Sequence, residues 1–173
     1  MTILTPLTRI FGRLVRGKAG VVLGSLALVA LLLGAALTLN GAFSARATEN
    51  GQREGRDFAV AAVPGLLSYD FNTVDAHFAD VLDDLGGDFR TQFEEVSREV
   101  IVPSAKKRQV VTTAEVIESS VVDAAEDHVD LLLFVNQSTT STDSPETKLD
   151  GSRVKVTSTR DGDRWLVTAM TPV

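Results

Sequence analysis

Between Ala19 and Leu39 the chain carries 21 consecutive residues without a charge, most of them Leu, Val, Ala and Gly. No other feature narrows the folding choices as far. As a helix this run is ~30 Å long, the thickness of a bilayer's hydrocarbon core. The residues before it carry Arg9, Arg13, Arg16 and Lys18, and the first acidic residue of the chain is Glu49. The tail at 1–18 therefore holds +4, whereas the remainder holds 13 basic and 23 acidic side chains, a balance of −10. Basic residues flanking an apolar run stay on the cytoplasmic side. The expectation is a single-pass cell-membrane protein with a cytoplasmic tail (1–18), a transmembrane helix (19–39) and an exported remainder in a periplasm-like space.

Ala45-Arg46-Ala47 has the small-x-small form of a signal-peptidase site, which would make the run a cleaved leader. Its spacing speaks for an anchor instead, because a leader's apolar core is ~7–15 residues and its cleavage site follows closely. Gly20 and Gly24, with Ala30 and Gly34, form small-xxx-small pairs through which another membrane helix can approach.

Beyond the run, residues 40–67 read as a juxtamembrane helix and linker, and 68–173 as the exported domain. Glu49, Arg53, Glu54, Arg56 and Asp57 stand at spacings that allow ion pairs on a helical stalk. Gly51 and Gly55 weaken that helix, and Pro64 is expected to kink or end it near Val63. Phe71, Val74, Phe78, Val81, Leu82 and Leu85 then recur at helical spacing, with Asn72 or Thr73 as the cap and Gly86-Gly87 as the stop. A third helix, capped by Asp88, places Phe89, Phe93, Val96 and Val100 on one face and ends at Pro103.

After Lys106-Lys107-Arg108 the helical period disappears and β-branched residues take over. Val110 to Val122 reads as a first strand. Val129, Leu131, Leu133 and Val135 form the inward row of a second, reached through a turn at Ala124 to Asp127. Ser138 to Thr147 reads as a polar loop, Ser152 to Thr159 as a third strand, and Asp161-Gly162 as a hairpin leading to Trp165-Leu166-Val167. Helices followed by strands indicate an α+β domain, with helices packed on a curved four-stranded antiparallel sheet.

Chemistry is sparse. The chain has no cysteine and two histidines, which excludes disulfides, thiolate metal sites and cysteine nucleophiles. His77 has Asp75 and Asp80 nearby, but on a helix only Asp80 shares its side, so the trio reads as a solvated face rather than a metal site. His128 reads as an exposed hairpin residue. No nucleophile elbow, phosphate-binding glycine loop or nucleic-acid motif is present, and Lys106-Lys107-Arg108 reads as a solvated helix-to-strand junction. Asn136-Gln137-Ser138 fits a glycosylation sequon. Tyr69 and Asp70 set a phenol and a carboxylate at a domain edge, making them the candidate contact to a partner or to lipid. The residues point to a non-enzymatic protein without metal or cofactor.

The order of Leu66-Leu67-Ser68-Tyr69-Asp70-Phe71, Gly87-Asp88-Phe89, Phe134-Val135-Asn136-Gln137-Ser138-Thr139-Thr140-Ser141 and Arg164-Trp165-Leu166-Val167, behind a basic tail and one apolar span, resembles the Mce-associated membrane proteins of actinobacteria. The resemblance implies an exported domain like the nuclear transport factor 2 cone, also found in a periplasmic secretion-assembly protein. It further implies an accessory role, stabilising or assembling mammalian-cell-entry (Mce) lipid and sterol importers, with transporter subunits or other envelope proteins, membrane lipids and further copies of the chain as partners. Carriage of a lipid in the cone's own pocket and assembly of a secretion machine are the alternatives.

Overall fold

A strand whose alternate residues are Val, Leu, Leu and Val must bury that row, and the surroundings of this row organise the whole domain. The computed structural model describes residues 45–173. The basic tail, the apolar run and its small-residue pairs, from Arg9 to Gly34, lie outside them. Among the described residues no helix is long and apolar enough to cross a membrane.

Helix α1 occupies 45–67, followed by β1 (Tyr69–Asp70), α2 (Val74–Val81), a 3-10 turn (Leu82–Asp84) and α3 (Gly87–Val96). A π-helical segment (Ser97–Ile101) leads into α4 (Val102–Arg108). The sheet strands are β2 (Val111–Ala124), β3 (His128–Ser141), β4 (Ser144–Asp161) and β5 (Arg164–Pro172). Together they form an antiparallel sheet in the order β1-β2-β3-β4-β5. Arg46–Val173 is one compact unit. The expected helices-on-a-curved-sheet architecture is therefore present, with five strands instead of four. The extra strand is the two-residue β1, which pairs Tyr69 with Thr112 and Asp70 with Val111.

Val129, Leu131, Leu133 and Val135 are fully buried, as their alternation predicts. They face Val154 and Val156 of β4, Val167 of β5, and the helices. Bulges in β2 at Val116/Glu118 and Val121/Asp123 bend the sheet so that the helical layer fits its concave side. The Asp161-Gly162 turn forms as expected, with Gly162 at φ +61.

In α1, Gly51, Gly55, Ala59, Val63 and Leu66 are buried along one stripe. A Cβ at Gly55 would stand 2.7 Å from the Trp165 ring and 2.7 Å from Val129 Cγ2, and one at Gly51 would stand 2.3 Å from the Glu126 carbonyl oxygen. These glycines, which weaken the helix as an isolated segment, allow its backbone to lie on the sheet. Arg56 Nε donates to Ser119 Oγ at 2.9 Å, and Arg160, stacked 5.1 Å from the Trp165 ring centre, pairs with Glu54. Pro64 does not end α1. It removes one N–H, while the amide of Ser68 still donates to the Pro64 carbonyl at 2.9 Å and buried Ala62, Val63 and Leu66 hold the last turn.

Two further expectations are corrected. The helix after Gly87 continues past Pro103, because the π-helical segment shifts the register and Pro103 falls in the first turn of α4, where its missing N–H costs little. Val96, at the end of α3, and Val100, inside the π-helical segment, are 49% and 60% exposed, and Ser97 and Ala105 are the buried residues of that stretch. Asp88 lies within the first turn of α3, behind Gly86 at the cap position. Ser138 to Thr147 is not a loop either, since β3 and β4 continue through it to a turn at Thr142 and Asp143. Its Ser and Thr residues have strand propensity although they lack apolar alternation. The tip is fastened to the end of α4, with Thr142 N and Oγ1 donating to the Arg108 carbonyl at 2.8 and 2.9 Å.

Candidate functional site

The inward row of β3 does not end at Val135. Gln137, Thr139 and Ser141 continue it with the same alternation but are only half-buried, and they line a cavity of about 480 Å³. The opposite wall is formed by Leu66 and Leu67 at the end of α1, Tyr69 of β1, Phe93 and Ile101 of the helical layer, and Ser104 and Arg108 of α4. Hence the concave face is packed solid at one end and hollow at the other. Arg108 supplies the cavity's formal charge; its Nε lies 2.6 Å from Asp143 Oδ2 in an exposed pair.

Structure separates the two residues that the sequence singles out. Successive residues of a strand point to opposite sides. Tyr69 turns into the cavity, its ring 5.5 Å from Phe78, which meets Phe93 edge-on at 5.5 Å. Asp70 turns into the following bend, where its Oδ1 accepts from the Asn72 amide and the Asn72 side chain, both at 2.8 Å. The phenol is thus available to a ligand, and the carboxylate is committed to a turn.

The Asp75-His77-Asp80 trio is divided in the same manner. His77 Nε2 donates to the Gly65 carbonyl at 2.8 Å, joining α2 to the end of α1. Asp75 pairs with Lys106 at 2.6 Å, and the hydrogen bond from that ammonium holds its carboxyl below the usual range. Among the described residues no group of His, Cys, Asp and Glu is arranged to hold a metal ion. His128 Nε2 stands 3.4 Å from Asp130 Oδ1. Asp130 accepts from Thr157 Oγ1 at 2.6 Å and pairs with Lys155 at 2.9 Å. The Thr157 hydrogen bond, then the Lys155 ammonium, lower its carboxyl pKa against an opposing effect of burial.

A second hollow, about 670 Å³, opens on the other side of the sheet between Ile117, Phe134, Asn136, Gly151, Arg153 and Val173. Sequence reasoning missed it, because Phe134 lies between two core residues of β3 and reads as part of an apolar run. Phe134 is 39% exposed and Ile117 52%. Gly151 forms its notch: a Cβ there would touch only Asn136 Oδ1, at an ordinary 3.5 Å, so packing does not require glycine. Arg153 makes no salt bridge within the described residues.

Residues 20–171 match the family described as "Uncharacterized protein Rv1363c/MT1408-like". The chain belongs to this family. Among curated relatives of this Rv1363c/MT1408-like protein, Rv1362c of Mycobacterium tuberculosis is 39% identical over 119 residues, covering 66% of this chain and 54% of its own length. The chain thus spans about half the length of that relative. The outer membrane protein Rv1973 of the same organism is 31% identical over 116 residues, covering 66% and 71%. Two solved structures share the fold of this Rv1363c/MT1408-like domain at 11% identity and a TM-score of 0.57: an IcmL-like type IV secretion system protein of Legionella pneumophila (67% of this chain, 88% of that one) and a periplasmic fragment of TraM (70% and 96%).

Proposed function

We propose that this protein is a non-enzymatic, membrane-anchored subunit of a multiprotein envelope complex, which its exported domain helps to assemble. The observation that carries this reading is the outer face of the sheet. There an exposed phenylalanine, a side-chain-free notch at Gly151 and a guanidinium that makes no salt bridge among the described residues adjoin in one hollow. Such a surface fits a partner segment that lays an apolar side chain over Phe134 and a carboxylate on Arg153. The remaining polar residues support a role without catalysis: Asp70, Asp75, His77 and Asp130 are each engaged in a structural hydrogen bond or ion pair, and no acid-base set converges on either hollow.

The fold shared with a type IV secretion protein supports an assembly role of the secretion-machine kind. A second reading, favoured by the order of the Tyr69-Asp70-Phe71 and Phe134-to-Ser141 motifs, makes the complex an Mce-type lipid importer. In both, the apolar run 19–39 anchors the chain, so that the domain works at high effective concentration beside its partners and modest contacts suffice.

Affinity purification of the intact chain from native membranes tests the proposal, with Phe134→Asp and Arg153→Glu as comparisons. Envelope-complex subunits are expected with the unaltered chain and at least tenfold less with either variant; the partners' identity chooses between secretion machine and importer. Equal recovery with the variants would remove the outer face from the mechanism.

A further inference from the structure

We infer that the cavity on the concave face is a binding site for a single-chain amphiphile with an anionic head. Four observations carry this, none of them dependent on the docking reading above. First, the hollow is continuous with the core through Leu66, Phe93 and Val110. At about 480 Å³ it lies within the ~300–1,000 Å³ range of small-molecule sites. Second, its lining is divided by chemistry. Leu67, Phe93 and Ile101 give an apolar wall, whereas the strand row that is Val-Leu-Leu-Val in the core becomes Gln137, Thr139 and Ser141 on reaching the hollow. Thr139 and Ser141 already bond within the protein, to Thr112 Oγ1 at 3.1 Å and from the Ser144 amide at 3.2 Å, so Gln137 is the member of this row that offers its polar groups to a ligand.

Third, the lining includes no Asp or Glu, and its formal charge is the Arg108 guanidinium. An anionic head is therefore favoured over a cationic one. Fourth, Arg108 is held by Asp143 at the exposed hairpin tip, and exposed pairs of this kind are worth little. An incoming carboxylate or phosphate can take Asp143's place on the planar guanidinium. Tyr69 then offers its phenol to the head, and the alkyl chain lies along Leu67, Phe93 and Ile101. A fatty carboxylate and a lysophosphatidate share this chemistry.

The test is native mass spectrometry of the full chain released from a non-ionic detergent, titrated with palmitate, palmitoyl lysophosphatidate, hexadecylamine and cholesterol. One palmitate or one lysophosphatidate per chain is expected, the stronger of the two identifying the head. Affinity is expected to rise about fourfold per methylene in a fatty-acid series and to level off once the chain fills the cavity. Arg108→Gln should lose at least tenfold and Arg108→Lys should recover part of it. Ile101→Trp, which fills the apolar wall, should abolish the bound species; the exposed position of Arg108 keeps the test valid if the tryptophan variant does not fold. Equal binding of hexadecylamine, preferential binding of cholesterol, absence of a saturable species, or indifference to Arg108→Gln would each overturn the inference.

Discussion

One strand, β3, passes through two regions that differ in almost every physical respect. From Val129 to Val135 its inward residues are fully buried in the core, and at Val129 the glycines of α1 bring a helix backbone onto the sheet. From Gln137 to Ser141 the same row faces a hollow beneath longer side chains of the helical layer. The first region is held by close packing. In the second, burial is sacrificed for room. The contrast teaches that the helical layer has two tasks: the glycine stripe of α1 lies close on the sheet, whereas the end of α1 and the α3-to-α4 run wall a space left open over it.

The sharpest way to break this comparison is to remove volume from the packed half. Leu133→Ala is expected to destabilise the domain by about 3 kcal/mol, read by urea denaturation; a loss below about 1 kcal/mol would mean that this half is not closely packed. Next in size is the helix contact. Gly55→Val must displace the Trp165 ring or Val129, with an expected cost of about 2 kcal/mol and a red-shifted Trp165 emission as the ring is pushed toward water. An unaltered melting temperature would show that α1 does not lie on the sheet at this point.

Asp130, on the outward side of the packed half, gives a smaller and pH-dependent effect. Its folded pKa lies below the ordinary 3.8 because Thr157 and Lys155 stabilise the carboxylate. Its contribution is therefore fully present above that value and is lost as pH falls through the lower folded pKa. Asp130→Asn is expected to cost about 1.5 kcal/mol at neutral pH and to flatten the fall in melting temperature between pH 4 and 2. An unchanged acid limb would assign that fall to other carboxylates. Smallest of all, Gln137→Ala in the hollow half should shift stability by no more than about 0.5 kcal/mol without ligand; a larger loss would mean that Gln137 serves the fold.

How legible these halves were in the sequence follows the same division. Close packing leaves a periodic trace, so the Val129-to-Val135 row, the Val74, Phe78 and Val81 face of α2 and the Asp161-Gly162 turn could be read directly. Gly51 and Gly55 could not, because propensity scores glycine as helix-breaking and is blind to a sheet lying against it. Pro64 and Pro103 misled for a related reason: each costs one backbone bond, and surrounding contacts or a π-helical shift outweigh that loss. The hollow half left little trace, since Gln137, Thr139 and Ser141 look the same in a solvated loop as on a cavity wall. Tyr69 was found as a phenol at an edge, but which way it faced depended on β1, too short for any pattern. The outer hollow was hidden by Phe134, whose hydrophobicity is equally at home inside or outside.

The two bulges of β2 carry a consequence beyond the curvature they give the sheet. Past the short stretch covered by β1, this strand has no paired strand on its outer side among the described residues, and a straight, unpaired edge of that length would invite other chains to add strands to it. Irregular steps at Val116/Glu118 and Val121/Asp123, together with the acidic side chains beside them, interrupt the regular ladder that a growing fibril needs. The edge is thereby guarded against unwanted strand addition while the two hollows of the domain stay open.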